Sequence, residues 1–249
     1  MNLTTTLSVR LVMLAVIVLL PLTTACARPA GQRVDLGQTD GADHDGEVSR
    51  HQTEAVESMA SDHHHLDAHM KWTALRPRQA EDAQKADQVV HALRQALVKF
   101  KDYREALKSG FEPFLPHIAQ PRYHFTKKWY GFKAAFRFDP AEPTSLLYRK
   151  TAGGYELIGV MYTAPKRMSE DQLNERVPLS VARWHAHVNI CLPPRREAHH
   201  ADWTTFGLKG SIATEEACRR ADGRWYLQLF GWMLHVYPFE ETPDKIWTH

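Results

Sequence analysis

The sequence has no G-x-S-x-G nucleophile elbow, no H-E-x-x-H helix, no C-x-x-C-H haem attachment and no EF-hand loop, so the enzyme and metal classes that carry those motifs lose their local signature. It also lacks βαβ repeats and phosphate-cradling glycine loops, which argues against a nucleotide fold. Long basic runs are missing as well. With 31 Lys plus Arg against 29 Asp plus Glu, the chain presents no concentrated basic surface, and nucleic acid is set aside as a partner. Cysteine is scarce, with only Cys26, Cys191 and Cys218 present.

What is there begins with an export signal. Arg10 precedes the apolar run Leu11 to Leu20, which Pro21 breaks. The run is about ten residues, whereas a membrane-spanning helix needs roughly twenty. Two processing readings stay open for residues 1–27. Ala25 and Ala27 form a small-x-small cleavage site that releases a chain starting at Arg28. Alternatively, Cys26 is the lipid-bearing first residue of a lipoprotein, anchored to a membrane without spanning it. Either way the chain is expected outside the cytoplasm, in the periplasm, secreted or lipid-anchored.

Residues 28–77 are rich in Asp, Glu, His, Gln, Ser and Gly, and offer too little apolar surface to offset the entropy of ordering. They read as a tether. Its histidines His44, His51, His63, His64, His65 and His69 stand among Asp43, Asp45, Asp62 and Asp67, so the tract is either a weak metal collector or a solvated linker. Residues 78–249 then have the length of one domain with a proper core. In an oxidising compartment Cys191 and Cys218 are expected to pair.

Within the domain, Val89, Val90, Leu93, Leu97, Phe100, Tyr103 and Leu107 recur at three- and four-residue intervals, predicting a long helix over Arg78 to Ser109. Pro113, Pro116 and Pro121 define a loop carrying His117 and leading to His124. Leu146 to Lys150 and Tyr155 to Thr163, around Gly153 and Gly154, read as a hairpin. Ser169 with Gln172 has capping-box spacing for a short helix ending near Arg176, and Thr214 to Ala221 reads as another.

Two segments alternate strictly. In Arg183 to Leu192 the even positions Trp184, Ala186, Val188, Ile190 and Leu192 are apolar, and the odd ones include His185 and His187. In Trp225 to Phe239, Phe230, Trp232, Leu234 and Val236 oppose Met233, His235 and Tyr237. Period-two patterning of this kind predicts strands with one oily face and one functional face. The fold class is therefore α+β: an antiparallel sheet with one face packed by the long N-terminal helix and the other carrying a histidine cluster.

His185 and His187 project from the same side of one strand. If the second strand lies nearby, His235 joins them, and His124 or His117 supplies a fourth imidazole. Imidazoles outside the cytoplasm point to copper or zinc. Met161, Met233, Tyr162 or Tyr237 would complete a copper site, and Glu156 or Asn189 would suit a zinc-bound water.

The phrases FKDYREALKSGFEPFLP, YHF, PTSLLY, GVMYTAPKRMSEDQLNERVPLSVARWHAHVNIC, GSIATEEAC and FGWMLHVYPFE resemble those of an uncharacterised family of exported bacterial proteins. The resemblance covers most of the folded part from about Phe100 onward. It implies export and a single domain, and imports no activity. Three functions follow as expectations. The first is a metal-binding protein with ligands His185, His187, His235 and His124, the second a metalloenzyme whose three imidazoles leave one position open. The third is a non-metal module whose sheet face, lined by Trp129, Tyr130, Trp232 and Tyr237, holds an organic ligand or partner.

Overall fold

A computed structural model describes residues 66–116 and 119–248. The export segment, Cys26, His117 and the tether histidines up to His65 lie outside the described residues. Among the described residues no helix is long and apolar enough to cross a membrane.

The domain is a mixed helix and antiparallel sheet fold. Strands β1 (Met70–Trp72), β2 (Glu112–Pro113), β3 (Tyr123–Thr126), β4 (Ser145–Thr151), β5 (Gly154–Ala164), β6 (His185–Leu192), β7 (Arg224–Gln228) and β8 (Trp232–Val236) form one sheet. Its order is β1-β6-β8-β5-β4-β3-β2, with β7 also on β6. The expected hairpin is β4–β5, closed by the turn between Thr151 and Gly154. Residues 66–77, which composition reads as the end of the tether, join this fold instead. Met70, Lys71 and Trp72 pair with His187, Ala186 and His185. Thr73 continues the ladder by donating its N–H to Trp184 O at 2.9 Å.

One side of the sheet faces the main core. Tyr123 and Phe125, Leu146 and Tyr148, Val160 and Tyr162, Leu234 and Val236, and Trp184 and Ala186 belong to a single buried cluster. Directly opposite residues of antiparallel strands share a face, and the pairings Phe125↔Leu146, Leu146↔Val160 and Val160↔Val236 carry that face across four strands. Tyr148 and Tyr162 are reconciled with burial by donating their hydroxyls to Phe100 O and Pro140 O, both at 2.6 Å.

The continuous helix over Arg78 to Ser109 is not found. Helix α1 (Asp82–Leu97) passes into a 3-10 turn, Val98–Lys101, and the chain turns extended at Asp102, with φ −86° and ψ 109°. Asp102 then accepts from Arg104 N and caps a separate short helix, α2 (Tyr103–Lys108). The apolar spacing survives this break because each piece still sends residues inward: Val90, Leu93 and Leu97 from α1, Phe100 from the turn and Ala106 from α2 are all in the main cluster. A side-chain acceptor at position 102 offers the backbone a cap, and periodicity does not register that alternative.

The short helices fall where their caps place them. In α4 (Glu170–Arg176; α3, Lys128–Ala134, is described below) Ser169 and Gln172 form the full capping box. In α5 (Glu215–Arg220) Thr214 accepts from Ala217 N. The α5 residue Cys218 is joined to Cys191 of β6 by a disulfide with Cα atoms 5.5 Å apart. A final turn of helix, α6 (Pro243–Ile246), closes the described chain.

The two alternating segments depart from strict alternation in one way that shapes the site. Asn189 in β6 has φ 57°, in the left-handed region, and the second segment breaks between β7 and β8 at residues 229–231. Leu229 N still donates to His187 O at 3.0 Å, so the interruption is a bulge within one long pairing. Gly231 is required there, because a Cβ would stand 2.2 Å from Ala164 O. Consequently Trp184 and Ala186 stay with the main core, while Ile190 and Leu192 join a second cluster with Leu208, Tyr226, Leu229 and Phe230. Phe230 therefore does not lie with Trp232, Leu234 and Val236, as alternation alone implies.

Two stability predictions follow from these ties. The carboxylate of Asp82 accepts from Gln79 N at 2.8 Å and from the Ser180 hydroxyl, fastening the start of α1 to the turn that feeds β6. Those hydrogen bonds hold its pKa below the ordinary 3.8. A depressed carboxylate contributes stability above its unfolded pKa and loses it as pH falls through the folded one. Asp82→Asn should thus lower the thermal midpoint at neutral pH, and the gap to wild type should close below about pH 4, as followed by circular dichroism. The disulfide closes a loop of 27 residues in separation, which restricts the unfolded chain by about 3–4 kcal/mol. Replacing Cys191 and Cys218 together by Ala should lower the midpoint by about 10 °C, and reduction of wild type should reproduce that drop.

Candidate metal centre

The opposite face of the sheet is built from the same pairings. His124↔Leu147, Leu147↔Gly159, Met161↔His235, Thr163↔Met233 and Met233↔His185 put His124, Leu147, Gly159, Met161, Met233, His235 and His185 on one side. Met70↔His187 and Trp72↔His185 extend it to the edge strand. Every sequence-predicted histidine within the described residues of the ligand set reaches this face.

Their rings run in a row. Centroids of His124 and His235 are 5.9 Å apart, those of His235 and His185 5.2 Å, and those of His185 and His187 5.7 Å. In a flat sheet β3 and β8, three places apart, would stand roughly 14 Å from each other. Rings from those two strands approach to 5.9 Å because the sheet curls with this face concave. The intervening position Gly159 contributes no side chain. A Cβ there would stand 2.7 Å from Val236 O and 2.8 Å from the Tyr237 ring.

Part of this face is withdrawn from solvent. His185 is 1% exposed, Leu147 0% and Met233 7%, while His124, His187 and His235 are intermediate. Burial pushes the His124 imidazole down to about 4, with the nearby Arg122 charge acting in the same direction and a backbone hydrogen bond at Arg122 opposing it. The ring is neutral at physiological pH and keeps a lone pair for a ligand. Beside it, Arg122 Nη1 donates to Tyr237 Oη at 2.5 Å.

Where β6 and β8 part after their single bridge, a cavity of about 200 Å³ opens, lined by Trp72, Arg183, His185, Leu234, His235 and Trp247 among others. Trp72 lies 5.3 Å from the His185 ring, and the Arg183 guanidinium lies 5.2 Å from the centre of the Trp72 ring. On the far side of the row Phe230 meets His187 at 6.0 Å. Neither Trp72 nor Met70 stands out in the sequence, because three residues are too short a run to show alternation next to a histidine-rich tract.

Other expected participants go elsewhere. Tyr162 points into the main core. Glu156 pairs with Arg149 at 2.7 Å on the exposed hairpin, and Asn189 donates to Ala68 O at 3.0 Å. Trp129 and Tyr130 sit on helix α3, Trp232 is 3% exposed in the core and Tyr237 is held by Arg122, so these four aromatics do not line one sheet face. His69, counted in sequence among possible metal collectors, is 1% exposed, with Nδ1 3.0 Å from Asn189 O and Nε2 2.6 Å from Gly210 O. Neither ring nitrogen of His69 is directed at a metal.

Among the described residues no group of three or more His, Cys, Asp or Glu is placed to hold a metal ion. With metal–nitrogen bonds of about 2.0–2.1 Å, two imidazoles on one tetrahedral ion have centroids about 5 Å apart. The His185–His235 pair meets that spacing, and its two neighbours exceed it by less than an ångström. No family model, curated protein or solved structure matches the chain.

His69 ties β6 at Asn189 to the loop at Gly210. His69→Ala should remove the ring contact to the buried Gly210 carbonyl and cost about 1–3 kcal/mol, measurable by urea unfolding.

Proposed function

We propose that this protein binds a transition-metal ion outside the cytoplasm, copper in preference to zinc, through His185, His235 and His187 with His124 as fourth ligand. The observation that supports this reading is the unbroken row of imidazole contacts from His124 through His235 and His185 to His187 on one concave face. Neutral imidazole suits zinc and copper alike, whereas thioether sulfur selects copper in its cuprous form. Met161 is the direct cross-strand partner of His235, and Met233 that of His185. Each central imidazole therefore has a thioether beside it. Storage or detoxification is the simplest role, with the tether histidines gathering metal and residues 1–27 directing export, whether or not Cys26 is lipidated. The Cys191–Cys218 disulfide is consistent with an oxidising compartment.

A metalloenzyme is the second reading, favoured by one feature: the cavity reaches both His185 and His235. A ligand position filled from that cavity by water or substrate would make the same ion catalytic.

Elemental analysis of the exported chain, purified without a histidine tag, tests the proposal. One copper per chain is expected, and His235→Ala and His124→Ala, each checked for folding by thermal unfolding, should lower the retained metal. Met161→Leu with Met233→Leu should weaken cuprous binding by about tenfold or more while leaving zinc binding nearly unchanged. Full metal content in a His185→Ala, His235→Ala double variant would reject the ligand set.

A further inference from the structure

Helix α3 (Lys128–Ala134) has no buried residue. Its inner side is fixed by Tyr130, which packs on the main core and meets Phe111 edge-on at 5.7 Å, and by Gly131, where a Cβ would stand 3.3 Å from Thr144. The outer side carries Trp129, Phe132 and, just past the helix, Phe136, at positions i, i+3 and i+7 of one face. These rings are 58%, 55% and 74% exposed. Trp129 stacks on Phe132 with centroids 5.2 Å apart, and Phe132 meets Phe136 at 5.2 Å. Three adjoining aromatic rings form a ridge, which differs from the scattered exposed apolar residues normal for a soluble surface.

The charge around the ridge is lopsided. Between residues 127 and 142 the cations Lys127, Lys128, Lys133 and Arg137 stand against the carboxylates Asp139 and Glu142. Lys133 and Arg137 both pair with Glu142, and Arg137 also reaches Asp139. Lys127 lies over the Tyr130 ring at 4.2 Å. Lys128 is exposed beside Trp129. A net positive rim around a Trp- and Phe-bearing helix face is complementary to a lipid interface with anionic headgroups. There the indole sits at headgroup depth, the phenyl rings pass below it and the ammonium groups remain in the polar layer.

We infer that the Trp129–Phe132–Phe136 ridge docks the folded domain onto an anionic membrane surface. It is a second contact, independent of any acyl chain on Cys26, and it does not depend on the metal reading. A protein partner would need an apolar socket for the rings together with acidic groups for the rim. A bilayer supplies both to a convex ridge without shape matching.

Co-sedimentation with lipid vesicles tests this. The exported chain carrying Cys26→Ser, which rules out an acyl anchor, is mixed with phosphatidylcholine vesicles with or without phosphatidylglycerol. Binding to the anionic vesicles is expected, weakening as salt is raised. Trp129→Ser, Phe132→Ser and Phe136→Ser together should reduce the partition coefficient by about tenfold or more. These residues are exposed, so the triple variant should keep its thermal midpoint. Quenching of Trp fluorescence by brominated lipid should be seen in the parent and reduced by Trp129→Phe. Equal partition to neutral and anionic vesicles, or undiminished binding by the triple variant, would overturn the inference. It would equally be overturned if the ridge drove concentration-dependent self-association without lipid and the triple variant abolished that instead.

Discussion

Strand β8 is held by β5 over five residue pairs, but by β6 at one, His185 opposite Met233. That single bridge joins the hairpin half of the sheet to the half carrying β1, β6 and β7. It is also where two of the four imidazoles and one thioether come together. Because the bridge is short, β6 and β8 separate beyond it and leave the cavity beside His185 and His235. Site geometry and sheet continuity thus rest on the same few residues. A substitution that weakens the bridge is expected to loosen the fold and the site together.

The curl that makes the histidine face concave coincides with a shift in the β4–β5 register between Leu147 and Tyr148, an irregularity of the kind that bends a sheet locally. The convex side carries Tyr123, Phe125, Tyr148, Tyr162, Trp184 and Trp232, all buried in one cluster. The concave side offers Gly159, Ser145 and Thr163 at the centre of the sheet. The two faces then divide the work. Aromatic burial on the convex side stabilises the fold, and the concave side has room for imidazoles that bury little apolar area.

Much of this was legible in the sequence, and for a definite reason. Period-two alternation fixes which residues share a face within one strand, so His185 and His187 are assignable to one side, whereas His235 joins them only through the strand pairing. Capping chemistry is equally local: Ser169 with Gln172 starts its helix as the spacing implies, and Thr214 caps the start of another. What stayed hidden depends on distance in the chain or on single backbone angles. The positive φ at Asn189 leaves no mark on hydrophobic spacing, yet it separates Ile190 and Leu192 from Ala186. Asp102 breaks a helix whose apolar repeat continues across it. Met70 to Trp72 enter the sheet because β6 offers them an edge, a property of strand order that composition does not carry.

The histidine row makes little sense as packing alone. Four neighbouring imidazoles bury modest apolar area, and protonating any one places a charge beside the others in a poorly solvated space. Desolvation already keeps His124 neutral down to about 4. A leucine or valine in each position would fill the same face at lower electrostatic cost, as Leu147 does one strand away from His124. Under the proposed reading, a bound metal would hold the rings close to the spacing they already approach. Such an ion would tie β6 to β8, because His185 and His235 lie on the two strands that pair only at His185 and Met233. On this reading the ion and the β6–β8 bridge stabilise each other, and the metal-free fold is the looser of the two states.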